Sequence, residues 1–425
     1  GKLALAGDLI VQSNTADNVN VLAETTKVQA ADVAGGVKAE NTITNTSNVN
    51  INGAEITADG YIYAVASNKV DFNQDYSRMV DANVYNLLGG EGSLAINTIT
   101  QNANLNIGNT NRTTMTSGEA MLLGATSVEH IKSHAYQRVN GLIHETANLT
   151  VKDNFTFNEN VNIGSSSELK ALNASDLTIA AWDEGLVDEW AYANAIGVST
   201  TVSSKLGTES EKNKIIHNAK IDVGNQAKLS ADYDVNLFAG KTLDNDYAVF
   251  KLTSLAEADS DGVIAWYVNP ENNSELKRNN KVNINTGAVV TSRRNVELYA
   301  NSGAEKLEVK QVRRTYYNNA QTDSDSFTYS SADGKIKKVA SDTNEVKVDG
   351  NVTAGNAYKQ VIVIGSNADG SSNVQIVALN SDEYNAIVNE NKAGVGSGEN
   401  KILIYVDAEG TDLKGTMGTS DGFTQ

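Results

Sequence analysis

The strongest constraint in this chain is a hydrophobic pattern that returns about every sixty residues while the residues around it change. In AKIDVGNQAKLSADYDVNLFAGK, residues 219–241, the positions Ile221, Val223, Ala227, Leu229, Ala231, Val235, Leu237 and Ala239 share one parity. The residues between them, Asp222, Lys228, Ser230, Asp234, Asn236 and Phe238, are mostly polar. Period-two alternation in three short runs predicts three β-segments, each with one buried face. GNQ and DYD supply the corners. Sixty-one residues on, the same sites hold Val282, Ile284, Ala288, Val290, Ser292, Val296, Leu298 and Ala300. Earlier they hold Val49, Ile51, Ala54, Ile56, Ala58, Ile62, Ala64 and Ala66, with one residue fewer at the first corner. Degraded copies stand at 104–109 (NLNIGN) and 346–355 (VKVDGNVTAG). The markers Ile51, Ile107, Ile163, Val223, Ile284 and Val348 are spaced 56, 56, 60, 61 and 64 residues apart.

A unit of this kind cannot bury its inner face alone, but stacking on its neighbours makes a continuous apolar interior. The expected fold is all-β, a right-handed parallel β-helix (β-solenoid). The segments between motifs, 67–96, 182–218, 240–280 and 301–345, are expected to be further coils with projecting loops or hairpins, and spare asparagines are expected to stack at the corners. On this reading residues 1–425 are one elongated segment, with repeat units near 41–96, 97–150, 151–218, 219–280, 281–345 and 346–425. The alternative is a string of separate β-sandwiches, each small for independent folding without disulfides.

Composition narrows the partners. The 52 acidic residues outnumber the 34 basic ones, the net charge is −18, and no basic block exists, which excludes nucleic acid as an expected partner. No apolar run is long enough to cross a bilayer, so no membrane insertion of this segment is expected. Cysteine is absent, which fits an exported chain that folds without disulfides. The first residue is Gly with no leader-like region after it, so the chain reads as a piece of something longer.

Motifs that carry chemistry are few. His130 and His134, beside Glu129, could share a metal on a helix, but on a strand they stand about 13 Å apart. HETAN at 144–148 has Asn148 where a zinc protease needs its second histidine. VGSG at 395–398 lacks the lysine of a P-loop. No catalytic, cofactor-binding or metal-ligating residue is assigned. The acids of AWDEGLVDEWAYA form the best candidate site: Trp182, Asp183, Glu184, Asp188, Glu189 and Trp190, read as a ligand-contact loop. Paired acids beside aromatic rings suit a sugar-binding loop or a solvated protrusion, and they are also what a glycosidase would use. DSDG at 259–262 and TDSDS at 322–326 loosely resemble Ca2+ loops without the full motif; ordinary turns are the default. The doublets Arg293–Arg294 and Arg313–Arg314 suit an anionic glycan or, better, salt bridges between neighbouring coils.

The stretches at 228–241, 289–319 and 346–365 together resemble the large leukotoxin-type filamentous adhesins of anaerobic diderm bacteria, which are filamentous-haemagglutinin-like in architecture. The resemblance is best over 219–365. It implies a β-helical shaft at the bacterial cell surface, exported by type V secretion with an outer-membrane partner for the full-length protein. The expected role is structural and adhesive rather than enzymatic, with loops meeting a host-cell or bacterial surface glycan or protein. The alternatives are a glycan-active β-helix enzyme and a ligand-free filament subunit that self-associates end to end.

Overall fold

The computed structural model describes residues 1–19, 22–28, 37–72, 79–86, 89–301, 305–317, 320–330, 340–354, 359–366, 372–375, 400–405, 411–413 and 416–419. Every regular element among them is a β-strand. Eight short strands form one parallel sheet in chain order: Lys2–Leu5, Glu55–Ala58, Thr114–Ser117, Glu168–Ala171, Lys228–Ala231, Val289–Ser292, Asn351–Ala354 and Thr416–Thr419. Each comes from a successive repeat. Most of the remaining described strands of each repeat pair in the same parallel way with those of the next. Val235–Ala239 lies against Asn295–Ala300, and Ser274–Ile284 against Asn213–Val223.

The spacing markers pair with one another in unbroken register: Ile51 with Ile107, Ile107 with Ile163, Ile163 with Val223, Val223 with Ile284, and Ile284 with Val348. Backbone pairing therefore runs between repeats, which excludes a string of separate sandwiches. Corners allow the close stacking. Gly108 takes φ 71°, and a Cβ on Gly164 would come within 1.9 Å of the Gly108 carbonyl oxygen.

The segments between motifs include an expected hairpin in 301–345, where Glu305–Tyr317 pairs with Ala320–Ser330, but otherwise depart from expectation. They are not extra coils but long strands that leave the motif and return to it. Leu177–Leu206 runs outward as far as Ile196, between Met121–Gly141 on one side and Phe250–Asn272 on the other, and its end, Ser199–Leu206, is already returning, paired with His144–Val151. Asn213–Val223 runs back, paired with Ser274–Ile284. Antiparallel pairing among the described residues comprises Glu305–Tyr317 with Ala320–Ser330, Lys359–Ser366 with Ser372–Gln375, and a Lys241–Tyr247 bridge. The alternation of the long strands escapes a hydrophobic reading because many inward positions are polar. In Met121–Gly141, for instance, Glu129, Ser133 and Gln137 face inward with Ile131, Ala135 and Val139.

The interior is consequently banded. One apolar cluster holds the motif residues, including Ile51, Ile107, Ile163, Val223 and Ile284. A second, built on Ile131, Phe155, Phe157, Val187 and Phe250, lies between the outgoing and returning strands. The third, rich in alanine and valine, fills the far end. Polar seams separate them. In the first seam Glu129, Glu159, Asp183 and His217 are buried together, His217 Nδ1 lying 2.6 Å from Asp183. Burial, then the charges of Asp183 and Glu159, push the Glu129 carboxyl well above its ordinary value. Burial and Asp183 do the same to Glu159. In the second seam Asn97 donates to Asp153 at 2.8 Å, and Asn213 and Ser254 donate to Glu189 at 3.0 and 2.8 Å. Burial, followed by the Glu189 charge, raises Asp153.

Asparagine ladders do form, but along the returning strands rather than at corners. Asn160 donates to Asn104 and Asn104 to Asn48; Asn162 donates to Asn106 and Asn106 to Asn50. A third ladder runs from Asn279 through Asn218 and Asn158 to Asn102. In-register parallel strands set like residues one strand spacing apart, about 4.8 Å, which a side-chain amide bridges in one hydrogen bond.

Candidate functional site on the strand Leu177–Leu206

The six residues read as a ligand-contact loop lie instead inside this long strand, and its alternation deals them to two faces. Asp183 and Glu189 point inward into the two polar seams. Trp182, Glu184, Asp188 and Trp190 take the opposite parity. The correction follows from the parallel pairing. Asp183, Glu184, Asp188 and Glu189 are registered in turn against Ser127, Val128, Lys132 and Ser133 of the strand Met121–Gly141, which leaves no slack for a loop. Trp182 packs against the buried group Ala180, Phe238 and Tyr299. Glu184 is pushed up by burial and by the charges of Asp183 and Asp246.

Around Trp190 the outer face carries an aromatic row. His134 meets Trp190 edge-on with centroids 5.7 Å apart, Tyr136 stacks on Tyr192 at 5.2 Å, and Trp190 and Tyr192 lie 5.8 Å apart. The rows align because His134 is registered with Trp190 and Tyr136 with Tyr192. A polar border follows in the next two strands. Trp190 Nε1 donates to Glu257 at 2.8 Å, and Tyr192 donates its hydroxyl to Asp259 at 3.0 Å. Arg314 then binds Glu257 at 2.8 Å and Asp259 at 3.3 Å. His134 Nε2 contacts Asp188 at 3.0 Å. Burial raises the Tyr192 phenol and the Asp259 carboxyl. Sequence reasoning misses His134 in this role, together with Tyr136, Tyr192 and Glu257, whereas Arg314 makes the salt bridge between neighbouring repeats that its doublet suggests. Extending the 56-residue step outward from the motif is the signal that aligns the histidine–tryptophan and tyrosine–tyrosine pairs.

This surface can do one kind of chemistry well. Ring faces with fixed polar edges suit contact with another ring-faced or apolar-faced molecule. Proton transfer suits it less, because Glu184 and Asp188, the two outward acids of the candidate, stand four strand positions apart. That is about 13 Å, against about 5–10 Å for paired glycosidase carboxylates.

The remaining candidates take structural partners. His130 and His134 lie on a strand and contact different carboxylates, Asp71 and Asp188. His144 contacts Ser199 at 2.7 Å. The Ca2+-loop candidates are not loops: 259–262 lies in Phe250–Asn272, where Asp259 is engaged by Arg314, and 322–326 lies in Ala320–Ser330. Among the described residues no group of three or more His, Cys, Asp or Glu is arranged to hold a metal ion. Arg294 grips Asp234 of the preceding repeat through two bonds of 2.9 and 2.6 Å, and Arg293 reaches Asp232 at 3.5 Å. Arg313 differs, pairing with Asp323 within its own hairpin. VGSG at 395–398 lies outside the described residues. No helix among the described residues is long and apolar enough to cross a membrane. No protein family, curated protein or solved structure matches the chain.

Proposed function

We propose that this chain is an extracellular structural and adhesive segment of a bacterial surface filament, of the leukotoxin-type filamentous adhesin kind. Its repeats are wound as a right-handed parallel β-helix. The observation that carries the reading is the parallel register between equivalent residues of successive repeats, from Ile51 through to Val348. Each repeat presents the edge on which the next can pair, which is how an open-ended stack is built. Right-handedness is the sense that strand twist favours for parallel crossover connections. The aromatic row around Trp190 and Tyr192 supports a contact surface for a host-cell or bacterial glycan or protein. Export of the full-length protein would engage an outer-membrane partner. The acidic balance supports a self-repelling, soluble exterior.

The test is binding of the purified chain to epithelial cells and to co-resident bacteria, with an unrelated acidic β-protein as control. Saturable binding that drops in a Trp190→Ala variant puts adhesion on this face. Binding no greater than the control removes the adhesive half of the proposal and leaves a spacer. Turnover of a glycan by the chain would overturn the proposal in favour of an enzyme.

A further inference from the structure

A second constellation lies beside the motif, where the strand Val235–Ala239 ends. Lys241 is almost fully buried, and its Nζ donates to Asn245 Oδ1 at 2.8 Å and to Glu297 Oε1 at 2.9 Å. Three rings surround the amine: Tyr299 at 4.4 Å, Phe238 at 4.9 Å and Tyr247 at 5.2 Å from the ring centroids. Glu297 and Tyr299 come from the next repeat, paired opposite Asn236 and Phe238. Asn245 is presented by a tight turn in which Thr242 N–H donates to Asp246 O and Asn245 N–H to Thr242 O. Asn245 sits there at φ 67°, a conformation asparagine tolerates better than most residues. Sequence alternation places Phe238 on the polar face; it is fully buried, with its ring beside the Lys241 amine.

A buried primary amine in direct contact with a carboxamide and a carboxylate has the components of amide exchange. We infer that Lys241 and Asn245 form an intramolecular isopeptide bond, with Glu297 as the proton carrier. Lys241 hands a proton to Glu297, and the neutral amine attacks Asn245 Cγ, so that the Nζ–Cγ bond forms and Oδ1 takes the negative charge. Glu297 carries the protons lost by Nζ to Nδ2. The Cγ–Nδ2 bond breaks, Oδ1 returns to a carbonyl, and ammonium leaves with Glu297 again ionised. The reaction uses no oxidant and no further reactant, and it closes the turn 241–245 covalently beside the strand end.

The experiment is mass spectrometry of the full purified chain. The expected intact mass is about 17 Da below that of the sequence, the loss of one ammonia. Trypsin should fail to cut after Lys241, leaving residues 229–251 as one peptide lighter by the same amount. Asn245→Ala, a change in an exposed turn, and Lys241→Arg should each restore the full mass, and Glu297→Gln should slow or abolish the loss. An unmodified mass with normal cleavage after Lys241 overturns the inference. So does a loss of ammonia that persists in Lys241→Arg, which would mean that Asn245 had cyclised on its own backbone. Full conversion in Glu297→Gln would remove the role given to that residue.

Discussion

Replacing Glu159 by glutamine is expected to make the protein more stable near neutral pH and less sensitive to pH. Glu159 is fully buried in the first polar seam. The groups that face it come from the outgoing strands, Glu129 and Asp183, with His217 beside Asp183 on the returning side. Burial comes first among the causes that raise its carboxyl, and the Asp183 charge adds to it. A carboxyl raised by folding binds its proton more tightly in the native state than in the unfolded chain. Its contribution is therefore fully present below the unfolded value, about pH 4.3, and is lost as pH rises toward the folded one. In that window stability falls by up to about 1.4 kcal/mol per pH unit for each such group. The carboxamide of Glu159→Gln does not titrate, so the gap between variant and parent should widen steadily as pH rises from about pH 5 to pH 7. Urea denaturation of both proteins at intervals from about pH 4.5 to 7.5 measures this directly, provided the two share one denaturant slope. Parallel stability curves would refute the reasoning, because Glu159 would then be ionised in the native state or reached by water.

Three further outcomes follow from the packing. Arg294→Ala should cost about 2–3 kcal/mol in the same assay, because it leaves the partly buried Asp234 without its two-bond partner, and Arg294→Lys should recover little of it. Ile163→Ala removes a buried side chain between Ile107 and Val223 and should cost about 2–5 kcal/mol; a cost under about 1 would mean the repeats are not tightly stacked there. Small-angle scattering from chains extended by one repeat should show length growing by about 4.8 Å per repeat at constant cross-section.

The motif is legible in the sequence because its inward positions are nearly all apolar or small and recur at nearly fixed spacing. The eight alternating positions from Ile221 to Ala239 all lie in the first apolar cluster. Ser292, the one polar exception in the next copy, is buried with its hydroxyl donating to the Tyr233 carbonyl. The long strands are not legible in the same way. Their inward faces include Glu129, Glu159, Asp183 and Glu189, and alternation between two polar residues carries no hydrophobic signal. The same gap makes 182–190 look like a loop, because four acids between two tryptophans suggest exposure. Asparagine content does point to ladders, but turn propensity puts them at corners, whereas the register stacks like residues along a strand. Arg294 and Arg314 are legible as inter-repeat ion pairs, since opposite charges stand about one repeat away at Asp234 and Asp259.

The length of the outgoing strands changes what such a stack is good for. From Leu177 to Ile196 the chain runs about twenty residues in one direction, up to about 65 Å at the rise of an extended strand. A whole repeat of about sixty residues then adds only one strand spacing, about 4.8 Å, along the stacking direction. The repeats from Lys2–Leu5 to Thr416–Thr419 therefore reach about 35 Å, less than their own width. Reach grows slowly in this design, whereas lateral surface grows quickly, since a repeat such as Leu177–Val223 contributes a long outgoing and a long returning strand to the two faces. The polar seams fit the same logic. A wide, thin layer needs its two faces held at constant separation over many residues. Hydrogen-bonded groups such as Asn97, Asp153, Asn213 and Glu189 fix which residues oppose each other in a way that interchangeable alanines and valines cannot. A filament built from such layers would display broad, regularly ruled walls, and the aromatic row at Trp190 stands on one of them.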